Sequence, residues 1–191
     1  YGDARKTEIV LDEVESINIE DLIQKEDMVV ILTNRGYIKR VPYSAYRLQG
    51  RGGKGASTST LKDDDYIKNL FIASTHDVIM FMTSEGRAYW LKVHEIPEGS
   101  RIAKGTHIRS LLNITANELI TATVALKGFS DDTYLFIATA KGTVKKVPTS
   151  DFVHATNRGV VAINLRSDDK VIAAILTSGK SDIFIVSRHG K

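Results

Sequence analysis

The chain has 191 residues, 42% of them hydrophobic and 26% charged, with a net charge of +3 and no cysteine. That length can bury a core, and the composition is that of an ordinary globular protein. It excludes disulfides and thiolate metal sites, no apolar run approaches the ~20 residues of a membrane span, and no signal-peptide pattern opens the sequence.

In chain order, Tyr1 to Leu11 precedes the first regular pattern and is expected to lend a strand. Ile17 to Gln24 is the best candidate for a short helical turn. One pattern then recurs with a period of about 50 residues, the mark of a propeller-like or solenoid array. Each copy opens with a β-branched apolar run, turns at Thr-x-x-Gly and returns through a basic or aromatic stretch. The copies run from Met28 to Thr33 with Gly36, from Val78 to Thr83 with Gly86, and from Tyr134 to Thr139 with Gly142. Short apolar runs of this kind are buried strands, and glycine supplies the positive φ of a tight hairpin. The return strands are Tyr37 to Pro42, Arg87 to Lys92 and Thr143 to Pro148. Pro42 and Pro148 belong at strand ends because proline cannot donate to a ladder.

Further columns follow. Lys54-Gly55, Lys104-Gly105 and Arg158-Gly159 each place a cation before glycine, with Leu61, Leu111 and Leu165 downstream. The intervening stretches predict third strands, clearest over Val160 to Leu165. Asp65, Glu118 and Asp169 then open fourth strands such as Ile67 to Ala73 and Val171 to Leu176. Four short strands per unit make a propeller blade, so the fold is predicted to be all-β. The repeats fall at approximately 27–76, 77–131 and 132–181, with an incomplete fourth at 182–191. A hairpin of Ile183 to Lys191 cannot bury both its faces. The pattern is therefore expected to be part of a longer array or to exchange strands with another copy.

Several motifs lead nowhere. Gly50 to Gly55 fits the dinucleotide glycine fingerprint, but Ala56 to Leu61 is strand-like where that fingerprint needs a helix. It also lacks the Ser or Thr of a phosphate-binding P-loop. His76, His94, His107, His154 and His189 share no ligand spacing. Asp63-Asp64-Asp65 reads as a solvated turn, and no nucleophile–base pair stands out.

What remains is basic. Lys39-Arg40 and Lys145-Lys146 occupy the same place in two repeats, where the middle copy has Tyr89-Trp90 flanked by Arg87 and Lys92. Arg47, Arg51 and Lys54 cluster in the first glycine-rich loop. Arg101 and Lys104, then Arg158, recur in its later equivalents. A radial array brings equivalent loops to one rim, and such a belt suits DNA phosphates without base readout. Glycines let backbone N–H groups approach a phosphate, while Arg and Lys add charge. Adjacent strand residues point to opposite faces, so either member of each basic pair could be the one that faces the rim. A peptide-binding propeller would instead need an apolar groove, and an enzyme would need convergent polar groups in a central channel.

These residues resemble the C-terminal domain of gyrase A, one of the two proteins of DNA gyrase. Asp3 to Ile9 resembles that family's entry. Asp21 to Ile23, Gly36 to Arg40, Ser74 to Asp77 and Gly86 to Lys92 match its signatures in order. Gln49-Gly50-Arg51-Gly52-Gly53-Lys54-Gly55 is similar to the gyrase A box, with Gly50 where a basic residue is usual. The box favours gyrase over topoisomerase IV. The resemblance implies a β-pinwheel with strands exchanged between blades, wrapping double-stranded DNA on its rim. Gln49, Arg51, Gly52, Gly53, Lys54 and Gly55, with Arg47, would form the principal clamp. Lys39, Arg40, Arg101, Lys104, Lys145, Lys146 and Arg158 would extend it. It further implies partnership with the rest of gyrase A and with gyrase B, and a cytoplasmic, nucleoid-associated location. The cleaving tyrosine, ATP and Mg2+ would be handled outside this domain, which would carry no cofactor of its own.

Overall fold

In a computed structural model of the chain, the described residues are 19–46, 65–155 and 157–186. The glycine-rich box and the opening segment Tyr1 to Leu11 lie outside them. A 3-10 turn covers Ile19–Leu22, within the expected helical stretch.

The hairpins form where the repeat places them. In the first, β1 (Asp27–Thr33) pairs with β2 (Tyr37–Pro42), and β3 (Ile67–Ser74) returns to the other side of β1. In the second, β4 (Val78–Thr83) pairs with β5 (Arg87–Lys92). A two-residue strand, β6 (Thr106–His107), comes next, and β7 (Ile120–Leu126) returns to β4. In the third, β8 (Tyr134–Thr139) pairs with β9 (Val144–Pro148), β10 covers only Val160–Val161, and β11 (Val171–Thr177) returns to β8. The turns share one chemistry. The hydroxyls of Thr33, Thr83 and Thr139 accept from the N–H groups of Tyr37, Arg87 and Thr143. Gly36, Gly86 and Gly142 take φ of +83°, +78° and +84°, which L side chains resist.

The short strands do not stay in their own repeats. β6 joins β2, giving the order β3-β1-β2-β6, and β10 joins β5, giving β10-β5-β4-β7. The third sheet is three-stranded, β11-β8-β9, among the described residues. The predicted third strand of Val160 to Leu165 therefore shortens to two residues, because the N–H groups of Ala162 and Ile163 both turn onto the Gly86 carbonyl. No strand forms over the described part of the fourth copy, residues 182–186.

β4 is buried on both faces. Ile79 and Phe81 pack with Met28, Val30 and Leu32 of the first sheet. Val78, Met80 and Met82 pack with Leu135 and Ile137 of the third. The middle sheet is thus enclosed between its neighbours, which explains why its run has no polar alternation. No helix among the described residues is long and apolar enough to cross a membrane.

Candidate nucleic-acid interface

The edge strands β3 and β11 both contact β7 on one side of the array. The opposite edges carry β6 and β10, and these outer edges hold all the described basic candidates. Each covered edge is a junction where one repeat is fastened to the next.

At the first junction, residues 97–107 fold over β2. The N–H of Arg40 donates to Pro97, that of Gly99 to Arg40, and that of Ala103 to Ser100, closing a turn. Lys39 was expected on the rim but is 2% exposed, and this corrects the sequence reading. Its ammonium donates to the carbonyls of Ser100 (3.2 Å), Arg101 (2.5 Å) and Ala103 (2.8 Å). Those three acceptors match its three donors, which is what makes a buried ammonium tolerable. Burial still holds Lys39 below the ordinary lysine value. Arg40 is also engaged: its Nε donates to Ile96 at 2.7 Å, and a guanidinium nitrogen lies 3.5 Å from Glu98. Lys104 is exposed, with its Nζ 3.8 Å from the centre of the Tyr37 ring, and Arg101 is half-buried beside it.

At the second junction the Lys39 column holds Tyr89, 1% exposed. Its hydroxyl accepts from Arg87 Nε at 3.1 Å and donates to the buried carboxylate of Glu118 at 3.2 Å. Arg87 in turn donates to the carbonyls of Arg158 and Gly159, both at 3.0 Å. Gly159 takes φ of +68°, and a Cβ there would lie 2.4 Å from the Tyr89 ring. The Arg158 side chain is exposed on the outside of this turn. Arg87, Tyr89 and Glu118 escaped the sequence reading as a set. The interruption of the basic column by Tyr89 was the available signal.

On β9, Lys145 donates to Ala162 at 2.8 Å, while Lys146 is exposed with its Nζ 4.6 Å from the Tyr134 ring. The acidic column is structural. Asp65 accepts from the N–H of Arg35 and Asp169 from that of Lys141, pinning the hairpin turns. Desolvation opposes ionisation of both carboxylates, but their hydrogen bonds outweigh it and hold them below the usual aspartate value. Histidines support the packing: His76 Nε2 lies 2.8 Å from the Ile23 carbonyl and His94 Nδ1 3.2 Å from that of Thr75. No metal-ligand cluster forms among the described residues. Arg47, Gln49, Arg51, Gly52, Gly53, Lys54 and Gly55 fall outside the described residues. Lys104, Lys146 and Arg158 thus share the outer edges as solvent-facing cations, with the half-buried Arg101 beside them in sequence.

A family model described as the DNA gyrase C-terminal domain, a beta-propeller, matches residues 27–74, 77–127 and 133–178. The chain belongs to the DNA gyrase C-terminal domain family. Over its whole length it is 51% identical to the gyrase A protein of Treponema pallidum and 44% identical to that of Klebsiella oxytoca. It spans 24% and 22% of those relatives. Among solved structures, a DNA gyrase A C-terminal domain superposes with a TM-score of 0.63 at 34% identity, covering 80% of this chain and 48% of that one. A topoisomerase IV C-terminal domain gives 0.69 at 28% identity, covering 82% and 47%. This gyrase-family domain is thus propeller-like, and its fold is shared with topoisomerase IV.

Proposed function

We propose that this domain binds double-stranded DNA along its outer strand edges and wraps it for a gyrase, the other parts of gyrase A together with gyrase B completing the enzyme. The observation that carries the reading is the recurrence of exposed cations, Lys104 and Arg158, on equivalent turns that the preceding repeat fixes from beneath. Lys146 and Arg101 extend the same edge, and the box residues Gln49, Arg51 and Lys54 supply its strongest station. Cations on fixed turns bind phosphates without reading bases. Wrapping requires a distributed set of them, because DNA has a persistence length of about 150 bp and bending it costs free energy. A wrap of one hand would present a positive crossing to the cleavage core, and strand passage there would leave negative supercoils. ATP, Mg2+ and the cleaving tyrosine belong to the rest of that enzyme in this reading, which acts in the cytoplasm on the nucleoid. Gyrase is favoured over topoisomerase IV by the box and by the match of the whole chain to gyrase A proteins.

Salt titration of binding to linear duplex DNA tests the belt. The log–log slope should be near −0.9 per neutralised phosphate, and a salt-insensitive affinity would exclude it. In the full enzyme, Arg51→Ala with Lys54→Ala should abolish supercoiling and spare DNA cleavage and relaxation. Unchanged supercoiling would remove the box from the clamp.

A further inference from the structure

A cleft of about 360 Å³ opens between the turn of the first hairpin and residues 107–120 of the second repeat. Its floor is apolar, from the buried Leu32, Ile108 and Ile114, and Arg35, Lys68, His107 and Arg109 stand around it. Two of these cations are brought to one place. Leu119 spends its N–H and its carbonyl on Ser84, so the carbonyls on either side of it turn the other way. Arg109 donates to that of Glu118 at 3.3 Å and to that of Ala116 at 2.8 Å, and the Lys68 ammonium to that of Ile120 at 2.5 Å. Two residues span at most about 7 Å, so guanidinium and ammonium are held close together. Among the described residues Lys68 spends one ammonium donor of its three, and Arg109 spends only Nη2. His107 Nδ1 accepts from the Arg109 N–H at 3.3 Å, so in the neutral ring Nε2 carries the proton, and it lies towards Gly36 in the cleft wall. The one acid in the lining, Glu118, is already compensated: its carboxylate accepts from the Tyr89 hydroxyl and the Thr115 N–H, with Arg87 at 3.9 Å.

Neither the opening nor its charge is required by the repeat. At the equivalent turn of the second hairpin, a Cβ on Gly86 would lie 2.5 Å from the Ile163 carbonyl and 3.4 Å from Leu165, so the chain closes over it. At Gly36 the same atom would meet only the side chains of Ile108 and His107, at 3.3 Å and 3.5 Å. Glu85 and Thr121 hold the places of Arg35 and Lys68 in the second repeat, and the Thr121 hydroxyl donates to the Met82 carbonyl. We propose that the first cleft is a binding site for a phosphate monoester with a short apolar body, the phosphate on Lys68, Arg109 and His107 and the body on Leu32, Ile108 and Ile114. The unspent donors outnumber the two oxygens of a carboxylate and suit the three terminal oxygens of a phosphate monoester. Ligand sites hold about 300–1,000 Å³ and join an apolar lining to a few placed polar groups, as this cleft does. Such binding does not require the DNA reading, since a nucleic-acid backbone offers the anionic head without the apolar body.

Titration of the full chain with phenyl phosphate, followed by amide spectra, tests this. The Gly36, His107, Arg109 and Ile120 N–H resonances should move together and saturate with a Kd below about 1 mM, with inorganic phosphate and phenol each binding at least about tenfold more weakly. Lys68→Gln keeps a donor for the Ile120 carbonyl but removes the charge, and should weaken phenyl phosphate about fivefold. Lys127→Gln alters an exposed lysine outside the cleft, makes the same change in net charge and should leave binding unchanged. Equal losses in the two variants would overturn the assignment, because the response would be to net charge alone. Inorganic phosphate binding as tightly as phenyl phosphate would also overturn it, because the apolar floor would then take no part. So would the absence of these shifts up to about 10 mM in the unaltered chain, a result that needs no variant to fold. A short duplex that displaces phenyl phosphate and moves the same resonances would overturn it too, since the cleft would then belong to a DNA surface.

Discussion

The two junctions share a topology and differ in chemistry. In each, a two-residue strand from the following repeat lies on an outer edge, at Tyr37 and Ile38 in the first and at Arg87 and Ala88 in the second. The first is fastened by Lys39 and three carbonyls, the second by a glycine seated on the Tyr89 ring and a guanidinium over the turn. The third sheet supplies the contrast. β9 has no covering strand among the described residues, and there Val144 and Lys145 are exposed although the equivalent Ile38 and Lys39, or Ala88 and Tyr89, are buried. Burial in this column is therefore set by what the next repeat lays over it. The residue type must suit that cover: an ammonium under inward-turned carbonyls, an aromatic ring under a glycine.

If the second junction depends on that close approach, Gly159→Ala should be the most damaging small change. The added Cβ meets a ring with no room to move, and φ of +68° is strained for alanine. Overpacking and strain together should cost about 3 kcal/mol, read as a shift of the urea midpoint. Gly142→Ala is the control, with φ of +84° but nothing within 4 Å, and should cost only about 1 kcal/mol. Equal losses would mean that Tyr89 yields easily and the junctions do not differ in this way.

The hairpins were legible because their determinants are local. A β-branched run, the threonine that bonds the turn and the glycine at positive φ all lie within one stretch of chain. Exchange of strands between blades came only with the family resemblance, because a repeat by itself does not say that Thr106 pairs with Ile38 or Val160 with Ala88. Val160 to Leu165 reads as one strand, yet Ile163 leaves the ladder for the core between the second and third sheets. The basic columns were visible as charge but not as direction. Lys39 and Lys145 are the same letter in the same column, and only the loop over the first turns it inward.

Tyr89→Phe probes the polar side of the second junction. It removes the hydroxyl between Arg87 and Glu118 and should cost about 1.5 kcal/mol at neutral pH. Burial raises the Tyr89 phenol above the ordinary tyrosine value of 10.0, despite the opposing pull of Arg87. Its proton is thus held more tightly in the folded state. That contribution is complete below the ordinary value and is lost as pH rises through the raised one. The gap between the unaltered chain and Tyr89→Phe should therefore narrow above pH 10, as followed by urea midpoints. The first junction carries the opposite sign, since burial lowers Lys39 and alkali there removes a charge that the interior disfavours.

The smallest expected effects separate Lys145 from Lys146. Lys145 stands in the Lys39 column and donates to Ala162 within its own repeat. Lys146 is exposed over Tyr134, with no carbonyl among the described residues holding it. Lys146→Ala should lower affinity for linear duplex about threefold and make the salt slope shallower by about 0.9, the signature of one lost phosphate contact. Its stability should change by less than about 0.5 kcal/mol. Lys145→Ala should do the reverse, leaving the slope in place while costing about 0.5 kcal/mol for a hydrogen bond at an exposed site. If Lys145→Ala also flattens the slope, the uncovered edge exposes both lysines to DNA. The contrast between covered and uncovered columns would then be one of binding as well as burial.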